Sequence, residues 1–431
     1  MDTIFAVSSG QPPAAIAVLR VSGPRARVTA EALAGSLPPP RQAGVRALRD
    51  PADGALLDRA LLLWFPGPRT ATGEDLVEVH LHGGRAVVRA VETCLAAQPE
   101  LRPAEAGEFT RRALAHGRLD LSEAEGLGDL LMAETEAQRR AALASAEGAV
   151  RRRVEHWQAA LLMLAARIEA MLDHADEDDV ADDGAALDAI LAECGALGGE
   201  LDDILAAPPV ERLRDGIRVV LAGPPNSGKS TLLNALADRE AAIVSPIAGT
   251  TRDRIEVAVV RNGIAWLLTD TAGLAEATDD PIERIGIARA EDAMRSADLL
   301  LWLADAAPPV IAGVHLLALH SRADLPGREQ TPEARISVSA ATGQGMASLW
   351  AAMEEAARTL LPREDALALN RRQRDLLRDA AGALSDAALH HDPLLVAEEL
   401  RRARTAFDRI TGRADVEGVL DALFGRFCIG K

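Results

Sequence analysis

An apolar strand, Ile217-Arg-Val-Val-Leu-Ala222, runs directly into Gly223-Pro-Pro-Asn-Ser-Gly-Lys-Ser-Thr231 and then into a stretch with helical spacing. Strand, glycine-bearing turn and helix in that order restrict the fold severely, because the turn and the helix N-terminus aim backbone N–H groups at one point. The result is a phosphate cradle on a parallel sheet. The N–H groups of Asn226, Ser227 and Gly228 wrap a β-phosphate, Lys229 reaches the β- and γ-oxygens, and the Ser230 hydroxyl holds Mg²⁺, with Thr231 beside it. Composition supports the choice of lysine. Of 47 basic Lys and Arg residues only Lys229 and Lys431 are lysine, and a lysine kept in so arginine-biased a chain marks a place that needs a compact charge on a flexible stem.

The rest of a GTPase-type site follows in order. Thr250-Thr251, within Ala248-Gly-Thr-Thr-Arg-Asp253, lies where a switch loop brings a second hydroxyl to the metal, and Thr251 is the expected ligand. Asp270-Thr271-Ala272-Gly273 closes an apolar strand, which sets Asp270 near Mg²⁺ and Gly273 near the γ-phosphate. Base reading falls to Ser321-Arg322-Ala323-Asp324, where guanine readers carry Asn-Lys-x-Asp, and to Ser339, Ala340 and Ala341 on the next strand end. Asp324 accepts from the guanine N1 and N2 groups and Arg322 lies over the base; Ser321, shorter than Asn, is expected to lose a contact. GTP is therefore expected over ATP, with weakened affinity. The position where Ras-like proteins orient water with Gln is Leu274, which cannot do so. Two candidates replace it: Asn226, whose carbonyl can ligate a monovalent cation beside the phosphates, and Glu283, which follows the switch as either a water-orienting or a plain surface carboxylate.

At 431 residues the chain suits about three domains. Residues 1–118 mix short strands with turns; Leu76 to His82 alternates as a half-buried strand, with a helix expected to Ala97. Residues 119–214 are helical, opened by a possible capping box at Ser122-x-x-Glu125 and striped by Trp157, Leu161, Leu164, Ile168 and Met171. An acidic run from Asp173 to Asp183 reads as a solvated connection. Residues 215–358 alternate strand and helix, and residues 359–431 return to helix with a stripe of Val396, Leu400, Ala403, Phe407 and Ile410. The expected fold is multidomain: an N-terminal α+β unit, then an all-α domain interrupted by an inserted α/β P-loop GTPase domain. A net charge of -18 argues against a surface coated with nucleic acid, so RNA contact would use local arginine patches. The three cysteines have no metal-ligand spacing, and neither a leader nor an apolar membrane span is evident, so a cytoplasmic chain is expected.

Asn226 in the loop, Gly249-Thr-Thr-Arg-Asp253, the split helical domain and the final Cys428-Ile-Gly-Lys431 together resemble the MnmE (TrmE) family of tRNA-modification GTPases. The resemblance covers the whole chain. Leu19-Arg-Val-Ser-Gly23, Gly73-Glu-Asp-Leu-Val-Glu78, His82-Gly-Gly84, Gly107-Glu-Phe-Thr-Arg111, Gly117-Arg-Leu-Asp-Leu121 and Ile410-Thr-Gly412 support it. It implies a potassium-activated GTPase in which Asn226 and the backbone of Ser245, Pro246, Ile247, Ala248, Gly249 and Thr250 surround the nucleotide and K⁺. Ser245, Ile247 and Thr250 would be the K⁺ ligands with Asn226, and Glu283 would orient water. It also implies a homodimer formed through the N-terminal domain, and a folate site in that domain for 5,10-methylene- or 5-formyl-tetrahydrofolate. By position Arg20, Glu78, Arg118 and Lys431 would contact the folate, with Arg118 standing where the family has lysine. Cys428 beside that pocket reads as either a structural or a reactive thiol.

The same resemblance implies a partner, the flavoprotein MnmG, which carries FAD and uses NADH in an expected heterotetramer. Together they would add an aminomethyl or carboxymethylaminomethyl group at C5 of the wobble uridine of certain tRNAs. Two departures stand out: Arg371-Arg-Gln373 where a histidine is expected, and a short segment between Asp305 and Ser321. Alternative readings are a ribosome-assembly GTPase, or a folate-binding scaffold with a silent GTPase domain.

Overall fold

Alternation in Leu76–His82 directs Val77, Val79 and Leu81 to one side of a strand and Glu78 and His80 to the other, and the chain folds on that pattern. The structure is a computed structural model that describes residues 2–173, 183–238, 241–242, 256–271, 290–328, 330–363, 366–414, 417–425, 427 and 429–430. By density of contacts it forms two units. One is Met1–Gly128 with Ser145–Gln158 and Arg404–Lys431; the other is Asp129–Ala144 with Ala159–Ala403.

In the first unit, β1 (Thr3–Val7), β2 (Ile16–Ser22), β3 (Gly44–Arg49), β4 (Leu56–Phe65), β5 (Leu76–His82) and β6 (Leu101–Pro103) build a sheet in the order β3-β4-β5-β2-β1-β6. Leu19, Val21, Leu62, Val79 and Leu81 bury one face against α1 (Ala26–Ala34) and α2 (Arg85–Ala96). Ile4, Ala6 and Leu76 bury part of the other against Phe109 of α3 (Glu108–Ala115). Arg20 and Glu78 are direct register partners across β2 and β5, on strand positions half-buried between apolar neighbours.

The expected capping box of α4 (Leu121–Met132) is corrected by the structure. Asp120 makes the cap: its Oδ1 accepts from the N–H of Glu123 at 2.8 Å, and Glu123 Oε2 accepts the Asp120 N–H at 2.7 Å. Ser122 is fully buried and donates its hydroxyl to Asp120 instead. An aspartate two residues upstream completes the same reciprocal pattern, so the helix starts two residues earlier.

The second unit holds β7 (Ile217–Ala222), β8 (Ala241–Ala242), β9 (Glu256–Arg261), β10 (Ile264–Asp270), β11 (Leu299–Trp302), β12 (His315–Ser321) and β13 (Ile336–Val338) in the order β13-β12-β11-β7-β10-β9-β8. Pairing is parallel from β13 to β10 and antiparallel beyond. Leu221, Leu268, Leu301 and Leu319 form its core with Leu232 and Leu236 of α9 (Lys229–Asp238) and Trp350 of α10 (Met346–Leu360). Helices on both sides of the inserted sheet in sequence meet in space. Here α7 (Asp183–Leu205) lies on α11 (Arg371–Leu389), with Gly198 so close that a side-chain carbon there would stand 3.5 Å from Leu384. In the first unit Trp157 of α6 (Ala149–Asp173) stacks on Phe407 of α12 (Pro393–Thr411) at 5.7 Å, as the two apolar stripes require. Gln373 also has a local purpose: with Asn370 it forms the capping box of α11. No described helix is long and apolar enough to cross a membrane, and most of the acidic run, residues 174–182, lies outside the described residues.

Replacing Asp120 with alanine should lower stability by about 1 kcal/mol in urea unfolding, the ordinary worth of an N-cap. An unchanged midpoint would show that the cap is not formed.

Candidate functional site

The turn between β7 and α9 uses left-handed backbone at Gly228, φ 93°, and at Asn226, φ 61°, a conformation that asparagine tolerates better than most side chains. Lys229 is 6% exposed, and its Nζ donates to the carbonyls of Gly223 at 3.2 Å and Pro224 at 3.0 Å. Burial pulls its ammonium below the ordinary lysine value, with Asp270 pulling the other way. Neutral carbonyls hold the charge in place without cancelling it. A phosphate oxyanion in the turn would.

Asp270, at the end of β10 beside Leu221 of β7, accepts from Ser230 Oγ at 2.5 Å through Oδ2. Its Oδ1 is buried and has no hydrogen-bond partner among the described residues. An orphaned carboxylate oxygen next to a serine hydroxyl is a hard-oxygen set, and it fits Mg²⁺. Ser227 Oγ is a second buried polar atom without a partner in the same turn.

A cleft of about 630 Å³ extends from this turn to the far strands. It is lined by Asn226, Ser227, Gly228, Lys229, Ser230 and Thr231 at one end, and by Ser321, Arg322, Asp324, Ala340 and Ala341 at the other. Ser321 directs its short side chain at the phosphate loop. Its hydroxyl is buried and donates to the Ser227 carbonyl at 2.9 Å, because Arg322, at φ 58°, turns the chain toward the phosphate loop and itself donates to the Asn226 carbonyl at 2.9 Å. The short side chain thus ties the two loops together. Asp324 is held below the usual carboxylate range by the Ser339 hydroxyl hydrogen bond. The Ser339 N–H donates to the Gln344 carbonyl at 2.9 Å. Thr271 points elsewhere: its hydroxyl donates to the Leu221 carbonyl at 2.8 Å. Ser245, Pro246, Ile247, Ala248, Gly249, Thr250, Thr251, Ala272, Gly273 and Glu283 lie outside the described residues.

Sequence reasoning missed the support behind the base turn. Arg328 donates from Nε to the Ser321 carbonyl at 2.9 Å and grips Asp305 with both terminal nitrogens, while buried His320 contacts the Arg328 carbonyl. No motif announces residues that bond through backbone carbonyls.

In the N-terminal sheet Arg20 Nε donates to Glu78 Oε1 at 2.9 Å. His80, one turn of the pleat further on, was also missed; its Nε2 is buried and unpartnered, 3.6 Å from Glu78 Oε2. Alternating polar residues on β5 were its only signal. An ion pair with an orphaned ring nitrogen suits a polar heterocycle, so these residues fit a pterin-class ligand. Arg118 donates to the Thr70 carbonyl at 3.0 Å, and Lys431 and Cys428 lie outside the described residues. Cys94 and Cys194 are buried free thiols, both pushed up to about 11 by burial and so poor nucleophiles.

A phosphate cradle on a parallel sheet, an aspartate at the neighbouring strand end and a base-reading turn beyond define a P-loop nucleotide-binding protein of the GTPase class. A family model described as "MnmE helical domain" matches residues 121–428, and one described as "GTP-binding protein TrmE N-terminus" matches residues 3–118. The tRNA modification GTPase MnmE of Erythrobacter litoralis is 54% identical over 431 residues, covering all of both chains. That of Rhizorhabdus wittichii is 57% identical over 434 residues, covering 100% of this chain and 97% of its own. The chain belongs to the MnmE (TrmE) family of tRNA modification GTPases. Among solved structures, the G domain of the T. maritima FeoB iron transporter aligns with 33% of this chain and 98% of its own at 25% identity, with a TM-score of 0.25, too low to bear on the assignment.

Replacing Ser321 with alanine should weaken GDP binding about five-fold, the worth of one net hydrogen bond, in a fluorescent-nucleotide titration. Unaltered affinity would mean that the tie to Ser227 does not shape the cleft.

Proposed function

We propose that this chain is a potassium-activated GTPase which, with the flavoprotein MnmG, forms the aminomethyl or carboxymethylaminomethyl group at C5 of the wobble uridine of certain tRNAs. The observation that carries the GTPase part is the buried Lys229 ammonium beside the Ser230–Asp270 pair; full-length similarity to proteins named tRNA modification GTPase MnmE supports the rest. Lys229 would neutralise the β- and γ-oxygens, Ser230 and Thr251 would hold Mg²⁺ with Asp270 behind them, and Glu283 would orient the attacking water. Asn226, Ser245, Ile247 and Thr250 would hold K⁺, whose charge offsets the charge developing between the β- and γ-phosphates. For guanine, Asp324 would accept from N1 and N2, and the Ala340 N–H would donate to the exocyclic O6, since the N–H of Ser339 is already taken.

In this reading the homodimer forms through the N-terminal domain, and Arg20, Glu78, Arg118 and Lys431 bind the tetrahydrofolate derivative that supplies one carbon. FAD and NADH belong to the partner, and the reaction is cytoplasmic. GTP hydrolysis would serve as a conformational step.

GTP turnover should rise about a hundred-fold when K⁺ replaces Na⁺, and Asn226→Ala should remove the difference. Equal rates in both salts would sink the potassium assignment, and no turnover in either would favour a silent scaffold. Nucleotide competition should show GTP bound in preference to ATP. Nucleosides from cells lacking the protein should carry unmodified wobble uridines in the affected tRNAs; wild-type modification there would leave a GTPase with another task, such as ribosome assembly.

A further inference from the structure

At the end of β7 and β11 opposite the phosphate loop, a second cleft of about 490 Å³ opens among the sheet, α8 (Glu211–Arg214) and α11. Arginines and carboxylates nearly balance along its wall, so the pairing decides its character. Asp298 takes Arg212 Nε at 2.7 Å and the Arg218 backbone N–H at 3.0 Å. Asp375 takes Arg378 at 2.7 Å, and Asp215 takes Arg214 at 2.7 Å. Glu211 accepts the Arg371 backbone N–H at 2.5 Å, at the first residue of α11. Every carboxylate in the cleft is thereby engaged.

Two guanidiniums remain without a carboxylate contact among the described residues. Arg374 is half-buried and donates only to the Leu205 carbonyl, at 2.5 Å; Arg218 is the exposed second residue of β7. Arg371 reaches Asp375 only at 4.0 Å. Burial and the charge of Arg378 pull Arg374 below the ordinary arginine range despite Glu211 and Asp375 nearby. A half-buried guanidinium that no carboxylate touches directly is costly unless an anion joins it, and its planar fork matches a phosphate in two parallel hydrogen bonds. The start of α11 adds a favourable dipole.

We propose that this cleft binds a phosphate oxyanion, gripped by Arg374 and Arg218 with Arg371 at the rim. The ligand would join the foot of the nucleotide sheet to α11, so its occupancy would stiffen that junction. Either a free phosphate compound or a phosphodiester of an RNA backbone presents this chemistry, and two probes tell them apart.

Full-length protein, with its phosphate loop filled by excess GDP and Mg²⁺, is titrated calorimetrically with inorganic pyrophosphate and, separately, with a short single-stranded RNA. Arg374→Gln and Arg218→Gln should each weaken binding about ten-fold, one charged hydrogen bond's worth. A loss confined to pyrophosphate assigns the cleft to small phosphates. A loss of RNA affinity, with the salt dependence reduced by about one unit per arginine, assigns it to the backbone. Arg218→Gln breaks no side-chain bond of the fold, so unchanged affinity for both probes in that variant overturns the proposal, as does failure of the native chain to bind either.

Discussion

A lysine ammonium held at 6% exposure among backbone carbonyls is the constraint on which the nucleotide domain depends. Its charge is costly where it sits, and the cost is accepted because β7 and α9 must converge for the turn to exist at all. Parallel pairing of β7 with β10 and β11 fixes the strand ends at one level, which brings Asp270 to Ser230. The apolar strands therefore serve the chemistry through register: Leu221 and Leu268 are core residues, and Asp270, two positions beyond Leu268, pairs in register with Leu221.

The base end follows a different logic. Ser321, Arg322, His320, Asp305 and Arg328 form a chain of contacts that ends on carbonyls of the phosphate loop. A serine at the position where guanine readers carry asparagine keeps the loops connected because the backbone, bent at Arg322, comes to it. The connection is made here by a hydroxyl on a side chain shorter than asparagine's.

Much of this was legible in the chain itself. Period-two alternation located Leu76–His82 to the residue, and the strand–turn–helix order located the phosphate turn, since both patterns report on backbone geometry that the side chains must share. The helical stripes through Trp157 and Phe407 likewise found their partners. What stayed hidden depends on contacts distant in sequence or on competition between equivalent caps. Asp120 displaced Ser122 as the cap of α4 because either residue satisfies the local pattern and only packing, which buries Ser122, chooses between them. Gln373 had no meaning until Asn370 stood opposite it, and the unpartnered nitrogen of His80 is a property of the folded sheet, invisible in a list of residues.

The meeting of α7 and α11 carries one more consequence. Gly198 faces Leu384, and Gly195 faces Ala388 at 3.8 Å, while Ile190, Leu191 and Leu201 of α7 and Leu377 and Leu384 of α11 are buried. Large apolar side chains buried on both helices resist separation and sliding alike. A methyl at either glycine would sit in ordinary contact with the facing helix, so it takes a side chain longer than alanine's there to force the two apart.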